Sequence, residues 1–398
     1  MFLAAIYVSP SVLGVYTWAI LGLSLLQSAF DVAVRQVAVG ALQTRRGLRF
    51  LKRYRQTFII AGPAFLVFII MLLLISQPAE LYGSIWTLAP LILAPISMAL
   101  ATRSVAILQS AGEWKALASA QSKAVMASLA ISLPVVLLTQ SIAGCVLQVA
   151  VVEVIFALLV TLNARRTIIP SGTNAVTAPP NISSQFSSAS IYSTLGWGQG
   201  QSDRVLVGFF AGVARLGQYN LAWSVSRSLG DAIVNATINV LRPQILLSNA
   251  TSDNTVKTLL DRASLLIAGM IILTVAGTEI ILKPVLGAEW FDALNAVPVM
   301  ALCTLPQVFS YSATIYLTRT GKLRSGLQPK MLGLVLAVPI AFAAMFGLTF
   351  AAWLAVLREV LVMSWMVWLV RRELPLKSLW QAAAVFTALT VSTSLLVI

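Results

Sequence analysis

The stretch LGQYNLA, from Leu216 to Ala222, repeats the pattern of LGVYTWA, from Leu13 to Ala19, after an interval of 203 positions. The flanking text aligns at the same shift, because MFLAAIYVSPSVLG from Met1 falls on RVLVGFFAGVARLG from Arg204. The interval is close to half of the 398 residues. The repeat therefore predicts a molecule made of two related halves.

Composition indicates that both halves are embedded in lipid, since 59% of the residues are hydrophobic and only 10% are charged. Such values are far from those of soluble proteins and indicate an all-α polytopic membrane protein. Apolar runs follow one another along the chain, and nearly all are long enough to cross a hydrocarbon layer of ~30 Å as a helix. We predict twelve spans after a short apolar stub at 2–8, namely 12–39, 57–76, 84–101, 124–139, 142–162, 188–211, 217–241, 263–282, 294–318, 331–350, 352–370 and 379–397.

Lysine and arginine predict the orientation, because positive residues near helix ends stay on the cytoplasmic side. If Gly14 lies outside, the six inward loops hold 21 of the 27 basic residues. The outward loops keep only Arg215 and Lys283. The net charge of +14 is thus a dispersed topology signal, and we expect no nucleic-acid partner.

Several chemistries are excluded by residue type. The chain has no histidine, which removes Ser-His and Cys-His nucleophiles as well as His-ligated zinc and haem. Its two cysteines, Cys145 and Cys303, stand alone in apolar text and are expected to be packing residues. We therefore expect no enzyme activity, no catalytic residue, no metal and no cofactor.

The repeat and the topology together predict the domain organisation. Both Leu-Gly pairs lie at the outer face with the same helix direction, so the halves are predicted to be parallel repeats about an axis along the membrane normal. We expect two six-helix lobes, with an N-terminal lobe at 1–162, a cytoplasmic linker at 163–187, a C-terminal lobe at 188–370 and an additional helix within 371–398. The alignment leaves the first helix without its inner half, so it is expected to be truncated.

Two segments carry a family resemblance, QSDRVLVGFFAGVARLGQYNLAWSVSRSLGDAIVNATINVLRPQIL at 201–246 and VLGAEWFDALNAVPVMALCTLPQVFSYSATIYLTRTGKLR at 285–324. They resemble the polysaccharide-transporter flippases of the multidrug/oligosaccharidyl-lipid/polysaccharide (MOP) superfamily. The matching features are an Asp-Arg pair, an apolar run, Leu-Gly-x-Tyr and a proline at the end of the next helix, here Asp203, Arg204, Leu216, Gly217, Tyr219 and Pro243.

The resemblance implies two six-helix lobes around a central cavity, as in MATE-like transporters. It implies transport of undecaprenyl-pyrophosphate-linked oligosaccharide units across the bacterial inner membrane for O-antigen, capsule or exopolysaccharide. The implied partners are this lipid-linked glycan and membrane lipid, with other polysaccharide-assembly proteins as further candidates. The truncated start departs from the family pattern and leaves the inner gate of the first lobe in doubt.

Charged residues inside the predicted spans are the candidate site, because each has a free-energy penalty of about 2.5–3.5 kcal/mol at mid-bilayer. The candidates are Asp31, Arg35, Glu153, Asp203, Arg204, Arg227, Asp231, Arg358 and Glu359. Asp31 with Arg35, and Arg227 with Asp231, are four apart and share a helix face. The adjacent pairs 203/204 and 358/359 point about 100° apart and are not expected to pair so simply.

Arginine suits phosphate oxygens, so Arg204, Arg227 and Arg358, with Arg35 as a fourth candidate, are hypothesised to bind the pyrophosphate. Arg204 and Arg227 are the preferred pair. The alternative is that these residues form internal ion pairs that orient helices, with Glu153 either a coupling acid or an acid bonded to a neighbouring helix.

Three other functions are consistent with parts of the sequence. An organic-cation or drug antiporter of the same superfamily would depend on cavity acids rather than arginines. A lipid-linked-sugar polymerase or glycosyltransferase would carry a sizeable outer loop, whereas the longest one predicted here is 283–293. A nonfunctional truncated paralogue is the third alternative.

Overall fold

The computed structural model describes residues 2–42, 45–77, 81–167, 182–247, 253–320, 322–371, 386 and 388–390. These residues are almost entirely helical and contain no β-strand. The all-α architecture predicted from the apolar runs is therefore confirmed. Residues 168–181 of the predicted linker and nearly all of the predicted span 379–397 lie outside the described residues.

The chain divides into two compact units. The N-terminal unit runs from Ser11 to Gly198, and within it α4 packs on α6 while α6 and α7 pack on α8. Its helices are α2 (Pro10–Leu26), a π-helical segment (Gln27–Val32), α3 (Ala33–Leu42), α4 (Arg45–Ser76), α5 (Tyr82–Trp86), α6 (Leu93–Ser110), α7 (Trp114–Thr139), α8 (Ala143–Arg166) and the first part of α9 (Ile182–Phe210).

The C-terminal unit comprises Gln199–Ile398 together with Met1–Pro10, so that the short helix α1 (Phe2–Ala5) contacts α10. Helix α10 packs against α11, α13 and α14, and α17 packs against α13, α14 and α16. Its remaining helices are α10 (Gly212–Leu247), α11 (Asp253–Gly277), α12 (Lys283–Val285), α13 (Phe291–Ala301), α14 (Thr304–Arg319), α15 (Leu327–Val335), α16 (Ala337–Phe346) and α17 (Leu348–Leu369). The six-helix composition of each lobe stays a prediction.

Membrane-spanning helices account for most of the fold. In the described part of the chain, eight helical stretches are long and apolar enough to cross a bilayer. The pair Ala288–Ala301 and Thr304–Leu317, bent by 45°, makes nine if it is counted as one span. Two further predicted spans lie on α9 and α10, which have 29 and 36 residues but are more polar. Both helices carry the charged residues of the candidate site.

Three boundaries differ from the sequence prediction. The predicted span 294–318 is broken at Leu302 and Cys303, where Pro306 has no N–H to donate to the carbonyl of Leu302. The predicted boundary between 350 and 352 was wrong, because extended backbone at Gly347 ends α16 at Phe346. Hydropathy does not detect either break, since apolar residues continue across both.

The inward loop predicted at 40–56, between the spans 12–39 and 57–76, is helical from Arg45 onward. It forms the first turns of α4, whose 32 residues extend for about 48 Å at 1.5 Å per residue. Arginine, lysine and leucine are strong helix formers, so the apolar span propagates into the basic text without a break. The excess length beyond a ~30 Å hydrocarbon layer places these cations at the interface.

Both copies of the repeated heptapeptide begin a long helix. The first copy lies in the opening turns of α2 and the second in those of α10. In each unit the leucine, tyrosine and alanine of the pattern are buried, with at most 7% exposure, namely Leu13, Tyr16, Ala19, Leu216, Tyr219 and Ala222. The shared letters thus mark one buried helix face in each unit. The tight turn into α10 uses Gly212 at φ 87°, a left-handed conformation that favours glycine.

Candidate functional site

Three helices of the C-terminal unit bring together six of the nine charged residues predicted from the sequence. Helix α9 contributes Asp203 and Arg204, α10 contributes Arg227 and Asp231, and α17 contributes Arg358 and Glu359. All six lie in helix interiors, so their side chains are positioned by the helix register rather than by loops. They form two groups of contacts with different chemistry.

The first group is an internal ion-pair network around Arg358. Its Nη2 lies 3.4 Å from Oδ2 of Asp203 and 3.0 Å from Oε1 of Glu359. The side chains of Arg358 and Asp203 are 1% and 0% exposed. Because a charge this deeply buried needs compensation, the two carboxylates account for the presence of Arg358.

Tyr219, the tyrosine of the repeated heptapeptide, completes this network. Its hydroxyl donates to Oδ2 of Asp203 at 2.9 Å, and the tyrosine is fully buried. The other carboxylate oxygen, Oδ1, accepts from the backbone N–H of Arg204 at 2.9 Å. Asp203 therefore connects α9 to α10 and α17, and the tyrosine of the repeated heptapeptide stabilises this connection.

The second group is built on Trp223 of α10. The guanidinium carbon of Arg227 lies 4.2 Å from the Trp223 ring centroid, and that of Arg204 lies 5.0 Å from it. A cation over an aromatic face is stabilised by the ring quadrupole. One buried indole therefore contacts two guanidinium groups, one from α9 and one from its own helix.

The two arginines differ in their other partners. Arg227 pairs with Asp231 at 2.8 Å and donates to Oε1 of Gln307. Arg204 donates from Nη1 to Oδ1 of Asn220 at 3.1 Å, while its Nε has no hydrogen-bond partner. Among the described residues, no carboxylate oxygen lies within the 4 Å ion-pair distance of the Arg204 guanidinium. Arg204 is thus the cation of this group with unused donor capacity.

The N-terminal unit holds the other three predicted residues. Asp31 pairs with Arg35 at 2.7 Å, with the guanidinium carbon 5.9 Å from the Phe156 ring centroid. Asp31 lies in the π-helical segment, an irregularity that is frequent at functional sites. Glu153 on α8 accepts from Nε2 of Gln27 at 3.2 Å, so it has a partner on a neighbouring helix.

Sequence spacing anticipated some of these contacts and missed others. Both i,i+4 pairs, Asp31–Arg35 and Arg227–Asp231, are formed. Residues 358 and 359 point in different directions on α17, yet they form an ion pair, because the long arginine side chain reaches the adjacent carboxylate. The partners Tyr219, Asn220, Trp223, Gln307 and Gln27 were missed, although a tryptophan four positions before Arg227 is a detectable signal.

Comparison with known proteins places the chain in a family. The family described as polysaccharide biosynthesis protein matches residues 57–295, which is more than half of the chain. The chain belongs to the polysaccharide biosynthesis protein family. No curated protein sequence matches it.

Solved structures agree on the fold. A multidrug resistance MATE family transporter of the MOP superfamily, solved in an inward-facing conformation, has a TM-score of 0.63 at 14% identity, over 98% of this chain and 94% of that chain. The lipid II flippase MurJ, in an inward closed conformation, has a TM-score of 0.55 at 13% identity, over 96% of this chain and 90% of that chain. This polysaccharide biosynthesis family member therefore has the MOP fold of a multi-pass membrane protein.

Proposed function

We propose that the protein is a flippase that moves undecaprenyl-pyrophosphate-linked oligosaccharide units from the cytoplasmic to the periplasmic face of the bacterial inner membrane by alternating access. The units would serve O-antigen, capsule or exopolysaccharide synthesis. Membership of the polysaccharide biosynthesis family and the MOP fold support this proposal. The observation that carries it is the pair of arginines held on Trp223 within membrane-embedded helices.

The arginines of the two contact groups differ in how far their charge is compensated, and this difference supports a ligand role for Arg204. A guanidinium in the middle of a membrane is unfavourable by about 2.5–3.5 kcal/mol unless it is compensated. Asp203 and Glu359 compensate Arg358, so we assign it to helix positioning. Arg204 has only an amide oxygen and an aromatic face. An anionic ligand would supply the negative charge that Arg204 lacks nearby.

A diphosphate fits this pair of arginines by charge and by geometry. Each guanidinium presents a planar set of donors that matches phosphate oxygens, and two guanidiniums on one indole would each bind one of two linked phosphates. We assign Arg204 and Arg227 to the pyrophosphate, with Asp231 and Gln307 orienting Arg227. Arg35 stays a fourth candidate, and Asp31 and Glu153 stay candidate coupling or ion-pair acids.

A cellular experiment tests this function. The gene is expressed in a bacterium that lacks its own flippase for a surface glycan and accumulates lipid-linked repeat units inside. We expect the wild-type protein to restore surface glycan and to lower the lipid-linked pool. The double variant R204Q/R227Q should do neither at equal membrane abundance. The control R215Q, on α10 with Arg227, should behave like wild type. Restoration by the double variant would rule out the assigned site.

If the protein is instead an organic-cation antiporter of the same superfamily, the opposite effect of these variants is expected. Its activity would depend on acids such as Asp31 and Glu153 and would tolerate loss of both arginines. Efflux of a cationic dye, measured in the same strains, separates the two functions. We expect no dye efflux above the vector control from any of these variants.

A further inference from the structure

Three neighbouring helices of the N-terminal unit each carry an arginine near the predicted inner end of a membrane span. Arg55 on α4, Arg103 on α6 and Arg165 on α8 each lie two or three residues beyond the predicted inner end of a membrane span. All three side chains are exposed. Because α4 and α8 both pack against α6, the three cations lie on one side of the unit at the level of lipid headgroups.

Two cavities connect these cations. A cavity of about 440 Å³ between α4 and α6 is lined by Arg49, Lys52, Arg55 and Arg103. A second cavity of about 550 Å³ is lined by Arg55, Arg103 and Arg165. Arg55 and Arg103 line both, and no aspartate or glutamate among the described residues lines either one. The two cavities therefore form one region of strongly positive potential, which we term the basic groove.

The walls of the basic groove are apolar as well as polar, so they suit a molecule larger than a simple ion. The second cavity is walled on the membrane side by Leu100 and Leu158, which are 47% and 59% exposed. The hydroxyls of Ser104 and Thr161, 3.4 Å apart, line the same cavity about one helical turn closer to the predicted inner end. Cations at the headgroup level, hydroxyl donors and exposed apolar walls match a molecule with an anionic head and an aliphatic chain.

We propose that the basic groove is a binding site for an anionic phospholipid of the inner leaflet. Its phosphate would bind Arg55 and Arg103, which face it from two helices, while Arg165 and the hydroxyls contact the rest of the headgroup. One acyl chain would lie along the exposed leucines. The lipid would join α4, α6 and α8 on the cytoplasmic side and stabilise the N-terminal unit.

Charge complementarity favours this ligand over a general attraction to the membrane. Five basic residues line the groove without a carboxylate, whereas basic residues elsewhere on the inner side, such as Lys115, Lys123 and Arg166, line neither cavity. A general attraction would depend only on the number of cations. A site depends on which cations are removed.

Native mass spectrometry of the purified full chain tests this difference. The protein is titrated in detergent micelles with phosphatidylglycerol or with phosphatidylcholine, and the number of retained lipids is counted. We compare wild type with R55Q/R103Q/R165Q and with the matched control K115Q/K123Q/R166Q, which removes the same charge. We expect the groove variant to bind phosphatidylglycerol on the order of 100-fold more weakly, and the control to stay within a few-fold of wild type.

Further measurements identify the ligand and test whether each variant is folded. Inorganic phosphate and pyrophosphate should not compete with phosphatidylglycerol, and competition by either would show a soluble anion site instead. The variant R55K/R103K/R165K retains the charge and should retain most of the binding. Equal loss in the groove and control variants, or equal retention of phosphatidylcholine, would overturn the proposal. Gel filtration shows that each variant is folded.

Discussion

At the scale of single residues, Arg358 is paired with carboxylates, whereas Arg204 retains donor capacity for a ligand. Arg358 faces two carboxylates, and Asp203 is bound in turn by Tyr219. Arg204, next to Asp203 in the sequence, faces an amide and an indole instead. Adjacent helix positions point in different directions, so one Asp-Arg pair serves both a structural network and the candidate ligand site.

Breaking the Arg358 network should destabilise the protein. The single variants D203N and R358Q each leave a buried charge with a missing partner, so we expect each to lower the free energy of unfolding by about 3–5 kcal/mol. The double variant should lose less than the sum, with a coupling of about 1–3 kcal/mol. Unfolding in sodium dodecyl sulfate, followed by far-UV circular dichroism, measures both quantities.

The exposed pair Arg215 and Asp292 provides the control for this cycle, with side chains 32% and 53% exposed. Its variants R215Q and D292N should change stability by about 0–1 kcal/mol. Additive losses for Asp203 and Arg358 would show that the two do not form a coupled pair.

The sequence predicted only contacts between residues that are close together in the chain. Spacing of four identified Asp31–Arg35 and Arg227–Asp231, because a helix places such residues on one face. The contact between Asp203 and Arg358 joins positions far apart in the chain and has no local signal. Trp223 was overlooked for a different reason, since an aromatic residue in an apolar membrane helix is ordinarily a packing residue.

At the scale of helices, small residues set how closely α10 approaches α14. A Cβ added at the buried Gly230 would meet Cγ2 of Thr304 and lie 2.8 Å from its Oγ1. Thr304 is itself only 1% exposed, so it has little room to move. Because α10 also carries Trp223 and Arg227, this contact fixes the helix that holds the candidate site.

Gly230→Ala should therefore destabilise the C-terminal unit by about 1–3 kcal/mol, although alanine has the higher helix propensity. Gly269→Ala on α11 is the matched control, because a Cβ there meets no heavy atom within 4 Å. The control should be neutral or stabilising by up to about 1 kcal/mol. Denaturation midpoints of the two variants measure the difference, and adding Thr304→Ser should recover part of the loss. A shift of the same sign and size in both glycine variants would contradict this account.

Helix positions were predictable from the sequence, whereas helix ends were less so. Eleven predicted spans lie on helical stretches, two of them interrupted by a break, because an apolar run of this length has few alternatives in a bilayer. The breaks at Leu302 and Gly347 were missed, since both lie within continuous apolar text. They depend on one backbone donor lost to proline and on one glycine, which leave the hydropathy unchanged.

At the scale of the whole molecule, the distribution of basic residues predicts which ends of the helices face the cytoplasm. The inward loops should include Lys115, and the outward loops should include Glu289. Both side chains are exposed, while the native Cys145 and Cys303 are buried. The native cysteines are therefore not expected to react with a thiol reagent, so an introduced cysteine can be labelled selectively.

A membrane-impermeant maleimide applied to intact spheroplasts should label E289C and leave K115C unlabelled. After the membrane is permeabilised, K115C should become labelled as well. Wild-type protein should stay unlabelled in both conditions, because its thiols are not accessible. Labelling of K115C from outside would reverse the orientation and with it the direction of transport.

The most direct test of the central claim is the affinity of the purified protein for a polyprenyl diphosphate. Each arginine on Trp223 is expected to contribute charge-assisted hydrogen bonds of about 1.5–3 kcal/mol, so R204Q and R227Q should each weaken binding on the order of 10- to 100-fold. R215Q should bind like wild type. An unchanged dissociation constant in R204Q/R227Q would contradict the claim that these two guanidinium groups hold the diphosphate.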